Sequence, residues 1–204
     1  MSSPDTTLDQ VGDAARELLQ GAIDIHVHFA PDPYAERRLT ADVLVQNARA
    51  AGLAGLVLKS HEYPTQPLAW LLDRQNDDIN VYGGLALDHG VGGLNMEAVS
   101  VSLSIGAKVV WMPTFDSENA VRTANQTRPF LTVSRNGELV SEVKRVISVI
   151  AKHGLVLATG HNSADEALMI LREGRAQGVQ HMVVTHAMDN PIFMDIPQML
   201  SLIH

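Results

Sequence analysis

The sequence predicts an α/β protein built on a parallel sheet, and three observations predict it. Short apolar runs alternate with segments of helical period along the chain. Alternation of this kind gives parallel strands joined by right-handed crossovers. The polar chemistry also gathers just past the apolar runs, at the edge where parallel sheets carry their functional groups. Two architectures satisfy these observations, an open doubly wound sheet and a (β/α) barrel. The dinucleotide-binding form of the open sheet lacks its glycine fingerprint, because His26-Val-His-Phe-Ala-Pro31 stands where that fingerprint would follow strand one, and no P-loop is present.

Each element has a local reason. Leu8 to Leu19 reads as an N-terminal helix followed by Gly21, and strand one as Ala22 to Phe29. After Pro31 and Pro33, Thr40 stands at the cap of a helix through Arg49 to Gly52. Leu53 to Ser60 is strand two, Leu68 to Asn76 a helix, and Asn80 to Leu87 strand three. Asn95 caps a helix reaching Gly106, and Lys108 to Pro113 is strand four. The stretch 115–140 breaks the rhythm and reads as an insertion with a small hairpin turning at Asn136-Gly137. Ser141 to His153 is a helix ended by Gly154, and Leu155 to Thr159 is strand five. Ser163 caps a helix to Gly178, His181 to Thr185 is strand six, and Ile196 to His204 opens another helix.

The chain has 204 residues, 46% of them hydrophobic, which suits a single domain over 1–204 with a core of its own. A net charge of -8 without a basic tract argues against nucleic acid or an anionic membrane as partner. With no cysteine, disulfides and thiolate metal sites are excluded, so any metal must be held by nitrogen and oxygen. Met1 to Thr7 lacks the basic and apolar regions of a signal peptide, and no apolar run has the length of a membrane span. The expectation is a soluble, cytoplasmic protein.

Asp24-Ile-His-Val-His28 is the most informative segment. Residues two apart on a strand point to one face, which groups Asp24, His26 and His28 against Ile23, Ile25, Val27 and Phe29. Two neutral imidazoles aimed at one point are good ligands for a divalent metal, although a hydrogen-bonded pair inside a sheet has the same spacing. The later strands repeat the pattern. Strand two ends in Lys59 and His61, strand three in Asp88 and His89, and strand four in Thr114 with Asp116 just after. Strands five and six end in His161 and His186. Histidine or a charged group therefore closes five of six strands at one rim. His153, His181 and His204 fall elsewhere and read as structural.

Asp24-Ile-His-Val-His28, with His161 and His186 ending successive later strands, resembles the amidohydrolase superfamily of metal-dependent hydrolases. The resemblance runs from about Gly21 to Pro191. It is closer to an uncharacterised group of that superfamily, through Val57-Leu-Lys-Ser-His61, Gly92-Gly-Leu-Asn95, Val110-Trp-Met-Pro-Thr114 and Thr185-His186. The resemblance implies a (β/α)8 barrel of TIM type with one or two metals at its mouth. His26 and His28 would bind one, and His161 and His186 a second. Zinc suits such ligands, with iron or manganese compatible.

Two departures stand out. Binuclear members bridge their metals with a carbamylated lysine or a glutamate from strand four, but here that strand ends Trp111-Met-Pro-Thr114. Lys59 is the nearest substitute, either as a carbamate bridge or as an amine near the substrate, and a lysine whose charge snorkels to the rim is the plainer reading. The family also takes an aspartate from strand eight, whereas only six βα units are read here against the ~250 residues usual for the barrel. The expectation is a C-terminally incomplete barrel whose exposed edges favour homo-oligomers. Asp24 suits a role behind the ligands, orienting an imidazole by a hydrogen bond. Asp116, Asp88 and Asp189 are stand-ins for the missing acid, and His61 is read as a substrate contact.

The resemblance implies hydrolysis of an amide, ester, lactone or thioester bond in a small molecule by a metal-activated water. The competing readings are a metal-dependent decarboxylase or isomerase on the same fold, and a non-catalytic truncated remnant. Arg122, Arg128 and Arg135 in the insertion would pair with a substrate anion or remain solvated, and Asn162 and Asn190 would contact substrate or form turns.

Overall fold

Alternating side-chain chemistry along each apolar run decides the architecture. The computed structural model describes residues 12–203. Its strands are β1 (Ile23–His28), β2 (Gly55–Lys59), β3 (Asn80–Ala86), β4 (Val109–Trp111), β5 (Ser134–Arg135), β6 (Glu138–Leu139), β7 (Val156–Ala158) and β8 (His181–Val183). Six of them form one parallel sheet in the order β1-β2-β3-β4-β7-β8, curled into half a barrel. The helices are α1 (Asp13–Leu19), α2 (Ala41–Ala50), α3 (Gln66–Arg74), α4 (Met96–Ser104), α5 (Glu118–Thr123), α6 (Ser141–His153), α7 (Ala164–Ala176) and α8 (Ile196–Ile203). The first residues of the expected N-terminal helix, Leu8 to Val11, and His204 lie outside the described residues.

The outer face of the sheet is aliphatic. Leu56, Leu58 and Val81 pack with Val45 and Leu72 of the covering helices, and Val110 and Leu157 pack with Val146, Ile147 and Ile150 of α6. The inner face carries Val57, Ala86, Val109, Trp111 and Ala158. Two adjacent glycines in β3 serve the two faces. A Cβ on Gly83 would lie 2.5 Å from the backbone of Gln66 in α3, and one on Gly84 would lie 2.8 Å from the Trp111 ring. Helix and indole can each approach the strand only because both positions lack a side chain.

Strand β1 differs from expectation. Its register against β2 shifts between Asp24 and Val27, the mark of a β-bulge. Ile23, Ile25 and His26 all line the inner cavity, while Val27 and Phe29 pack outward with α2 and β2. Asp24 therefore does not share a face with His26 and His28, and Ile23 and Ile25 do not share one with Val27 and Phe29. The Asp24 side chain is exposed and accepts the His26 backbone N–H at 3.0 Å. It contacts an amide rather than an imidazole.

The insertion holds the hairpin read from Asn136-Gly137, with both residues at positive φ as such a two-residue turn requires. It also holds α5, which the sequence did not suggest. Six residues carry too little periodicity to stand out, but Ser117 caps them by accepting the Ala120 N–H at 3.1 Å. Asn95 and Ser163 cap as expected, the latter in a reciprocal capping box with Glu166. Thr40 does not cap α2. Its hydroxyl donates to the Asp42 carboxylate instead. Among the described residues, no helix is long and apolar enough to cross a membrane.

Leu58 is fully buried on the outer face, whereas Leu71 is 47% exposed on α3. Leu58→Ala is expected to lower the unfolding free energy by about 2–5 kcal/mol, and Leu71→Ala by less than about 1 kcal/mol, as read by urea denaturation.

Candidate functional site

The strands are shorter than the apolar runs, and the polar residues begin where the strands stop. Lys59 is the last residue of β2, and His61 lies two residues on. Asp88 follows β3 by two residues, while Thr114, His161 and His186 follow β4, β7 and β8 by three each. The curl of the sheet brings these ends together.

Five imidazoles form a closed circuit of neighbours. Ring centroids are 5.2 Å apart for His26 and His28, 4.8 Å for His28 and His61, and 5.5 Å for His61 and His161. His161 and His186 follow at 5.4 Å, and His186 returns to His26 at 5.1 Å. Aromatic walls flank the circuit. Trp111 meets His26 edge-on at 5.8 Å, and Phe115 stacks on His61 at 3.7 Å. Lys59, only 1% exposed, has its Nζ 5.6 Å from the Trp111 ring and 3.5 Å from His61 Nδ1. His186 keeps an exposed edge and has φ of +50, a left-handed conformation that costs a non-glycine residue on the order of 1–2 kcal/mol.

Burial holds these groups uncharged. The pKa of His26 falls to about 2, that of His161 to about 3 and that of His28 to about 4, in each case through burial first and the nearby Lys59 charge second. His61 and His186 shift in the same direction for the same two causes. Burial also lowers Lys59 to about 7, against the pull of Asp88. All five rings are therefore neutral at pH 7, each with a lone pair available for a metal or a proton.

Fit to a metal is best at one pair. The Nε2 atoms of His26 and His28 are 3.3 Å apart. Two ligands of one tetrahedral zinc stand ~3.3 Å apart when each Zn–N bond is ~2.0–2.1 Å. Nε2 of His161 is buried without a hydrogen-bond partner, an arrangement that is costly unless something binds there. The circuit as a whole is wider. Among the described residues, no group of three or more histidine, aspartate or glutamate side chains is arranged to hold a metal ion.

Asp116 is engaged by groups outside the circuit. Asp116 accepts the His89 backbone N–H at 2.7 Å, the His89 ring Nδ1 at 2.9 Å and the Arg128 guanidinium. Burial works to raise its pKa, but these donors outweigh burial and hold it below the usual carboxylate range. Arg128 is spent on Asp116 and the Phe115 carbonyl, and Arg122 pairs with Glu118 at 2.7 Å. Asp189 acts on the His186 ring through its charge, and its backbone N–H donates to the His186 carbonyl at 3.0 Å. Asn162 donates to the carbonyls of Thr159 and Pro113, which is a turn rather than a substrate contact. The insertion reaches the circuit through its backbone contacts. Ser117 and Asn119 both donate to the His161 carbonyl, at 2.9 and 3.1 Å, and Asn119 also donates to the Pro191 carbonyl at 2.9 Å.

Asp88 was visible in the sequence only as one of several stand-in acids. It is fully buried, and burial raises its pKa to about 6 against the hydrogen bonds it receives from Thr114. Nothing in the spacing of Phe115 marks it as the residue stacked on His61.

Fold and site define an α/β half-barrel protein with an imidazole cluster at the carboxyl edge of its sheet. Residues 21–204 match the model of DUF6282, a family of unknown function, and the chain belongs to that family. No functionally curated protein matches it.

The neutral histidines give a testable pH dependence in chelator-treated protein. Below their ordinary 6.5 the unfolded chain protonates these rings, while the folded chain leaves them neutral down to about 4 or lower. Stability is therefore retained above pH ~6.5 and lost as pH falls toward 4. Asp88, raised from 3.8 to about 6, works in the opposite direction over part of that window, but one group opposes five lowered histidines. The urea midpoint is expected to fall between pH 6.5 and 4.5, and His28→Gln with His161→Gln should flatten that fall.

Proposed function

We propose that this chain is a metal-dependent hydrolase of the amidohydrolase type, acting on an amide, ester, lactone or thioester bond of a small molecule. The observation that carries this reading is the closed circuit of five neutral imidazoles, gathered from four strand ends around a buried amine. His26 and His28 would hold one divalent cation, and His161 and His186 would hold a second where two bind. Zinc suits nitrogen donors of this kind, and iron or manganese is compatible. A bound divalent cation supplies a lowered water pKa and a Lewis acid for a carbonyl oxygen.

The chain's own residues supply the rest. Lys59, whose pKa burial lowers to about 7, would either take up carbon dioxide as a carbamate ligand to the cations or stay an amine beside the substrate. His61 stands on the substrate side, its plane fixed by the stack with Phe115. A cavity of about 700 Å³ runs along the inner face of the half-barrel from Lys108 and His181 to His26 and His186, with a mainly apolar wall including Ile25, Trp111 and Met182. Asp116 fastens the loop carrying Phe115 through Arg128 and His89, and we assign it to positioning rather than to proton transfer. The half-barrel is read as part of a (β/α)8 barrel. Half-exposed Ile23 and Ile25 at the β1 edge favour self-association, and a cytoplasmic setting completes the reading.

Metal analysis tests it. Purified protein is expected to bind zinc, iron(II) or manganese(II) stoichiometrically, with His26→Ala and His161→Ala each weakening binding by at least ~10-fold. Folded protein with no affinity for any of the three would remove the proposal. In ¹⁸O-labelled water, product from an ester or lactone probe must gain a solvent oxygen. Turnover without that label would favour decarboxylation or isomerisation instead.

A further inference from the structure

The Asp88 carboxylate is the one fully buried acid beside the imidazole circuit, and the proposed reaction does not yet use it. Its Oδ1 accepts two backbone N–H groups, from Thr114 at 2.7 Å and Asp116 at 3.2 Å. Its Oδ2 accepts the Thr114 hydroxyl. The same hydroxyl oxygen lies 2.6 Å from His61 Nδ1. Direct contact between Asp88 and His61 is 3.9 Å, too long for a hydrogen bond, so the hydroxyl is the link.

The order of the three groups fixes where the protons sit. A carboxylate only accepts, and a threonine hydroxyl has one proton to give. Thr114 gives that proton to Asp88, so its oxygen must receive one from His61. A neutral imidazole carries a single N–H. We propose that Asp88, acting through Thr114, holds His61 as the Nδ1–H tautomer and so presents Nε2 as a lone-pair atom. Lys59 is the competitor, because an ammonium donating to Nδ1 would need the lone pair there. Its nitrogen is 3.5 Å away against 2.6 Å for the hydroxyl, and the shorter link prevails.

The role that follows, which rests on the hydrolase reading, is that His61 turns an acceptor nitrogen, not an N–H, toward the substrate. Asp88 and Thr114 are positioning residues, and His61 is the group that meets the substrate.

The tautomer can be read without metal or substrate. Long-range ¹H–¹⁵N correlation on chelator-treated, ¹⁵N-histidine-labelled full chain, with His61 assigned by loss of its signals in His61→Gln, is expected to show Nδ1 protonated and Nε2 bare. In Asp88→Asn the amide oxygen stays on the two backbone N–H groups, so the amide NH2 faces Thr114. The hydroxyl must then turn its proton onto His61, and the pattern should reverse to Nε2–H. Thr114→Val should abolish the Nδ1–H preference and Thr114→Ser should restore it, which decides the matter even if Asp88→Asn fails to fold. A wild-type Nε2–H pattern, an unchanged pattern in folded Asp88→Asn, or retention of Nδ1–H in Thr114→Val would overturn the proposal. Absence of metal binding would sink the hydrolase reading and leave this result untouched, so the two failures are separable.

Discussion

Desolvation of nitrogen at one sheet edge governs this molecule. Five imidazoles and a lysine lie within 5.5 Å of their neighbours, and no more than a small part of that set can be charged at once. Burial resolves the conflict by keeping the imidazoles neutral and bringing Lys59 to about 7. The rest of the structure serves that condition. The outer aliphatic face anchors the strands, Trp111 and Phe115 cover the rings from within, and the insertion supports the loop that carries His161. A cluster of uncharged donors is costly to bury unless it binds something, which is why the arrangement points to chemistry.

Much of this was legible in the sequence because parallel sheets obey a simple rule. Apolar runs of five to eight residues announced the strands, and the polar residues after them announced the rim. Lys59, His61, His161 and His186 needed only their order along the chain to be grouped with His26 and His28. Strand β1 was misread in part because a bulge is a property of pairing. Nothing in Ile23-Asp-Ile-His26 tells that the alternation will slip against β2, and a slip of one residue exchanges the two faces.

The link from Asp88 to His61 was beyond reach for a different reason. Asp88 and His61 stand 27 positions apart and are joined by a hydroxyl from a third strand end, and threonine is too common at strand ends to be noticed. Asp116 shows the converse. Its place in the sequence resembled that of a catalytic acid, yet three donors hold it as a fastening for the loop it occupies. Which donors surround an acid is a tertiary fact that its place in the sequence does not carry.

Asn119 carries a mechanical consequence. Its single amide group grips the carbonyls of His161 and Pro191 together, so the loops after β7 and β8 are yoked by a side chain that belongs to neither. The gap between His161 and His186 is then governed from the α5 insertion as well as by the hydrogen-bond ladder of the sheet. A change in that insertion would reach the spacing of the two rings through the Asn119 amide while leaving the strands undisturbed.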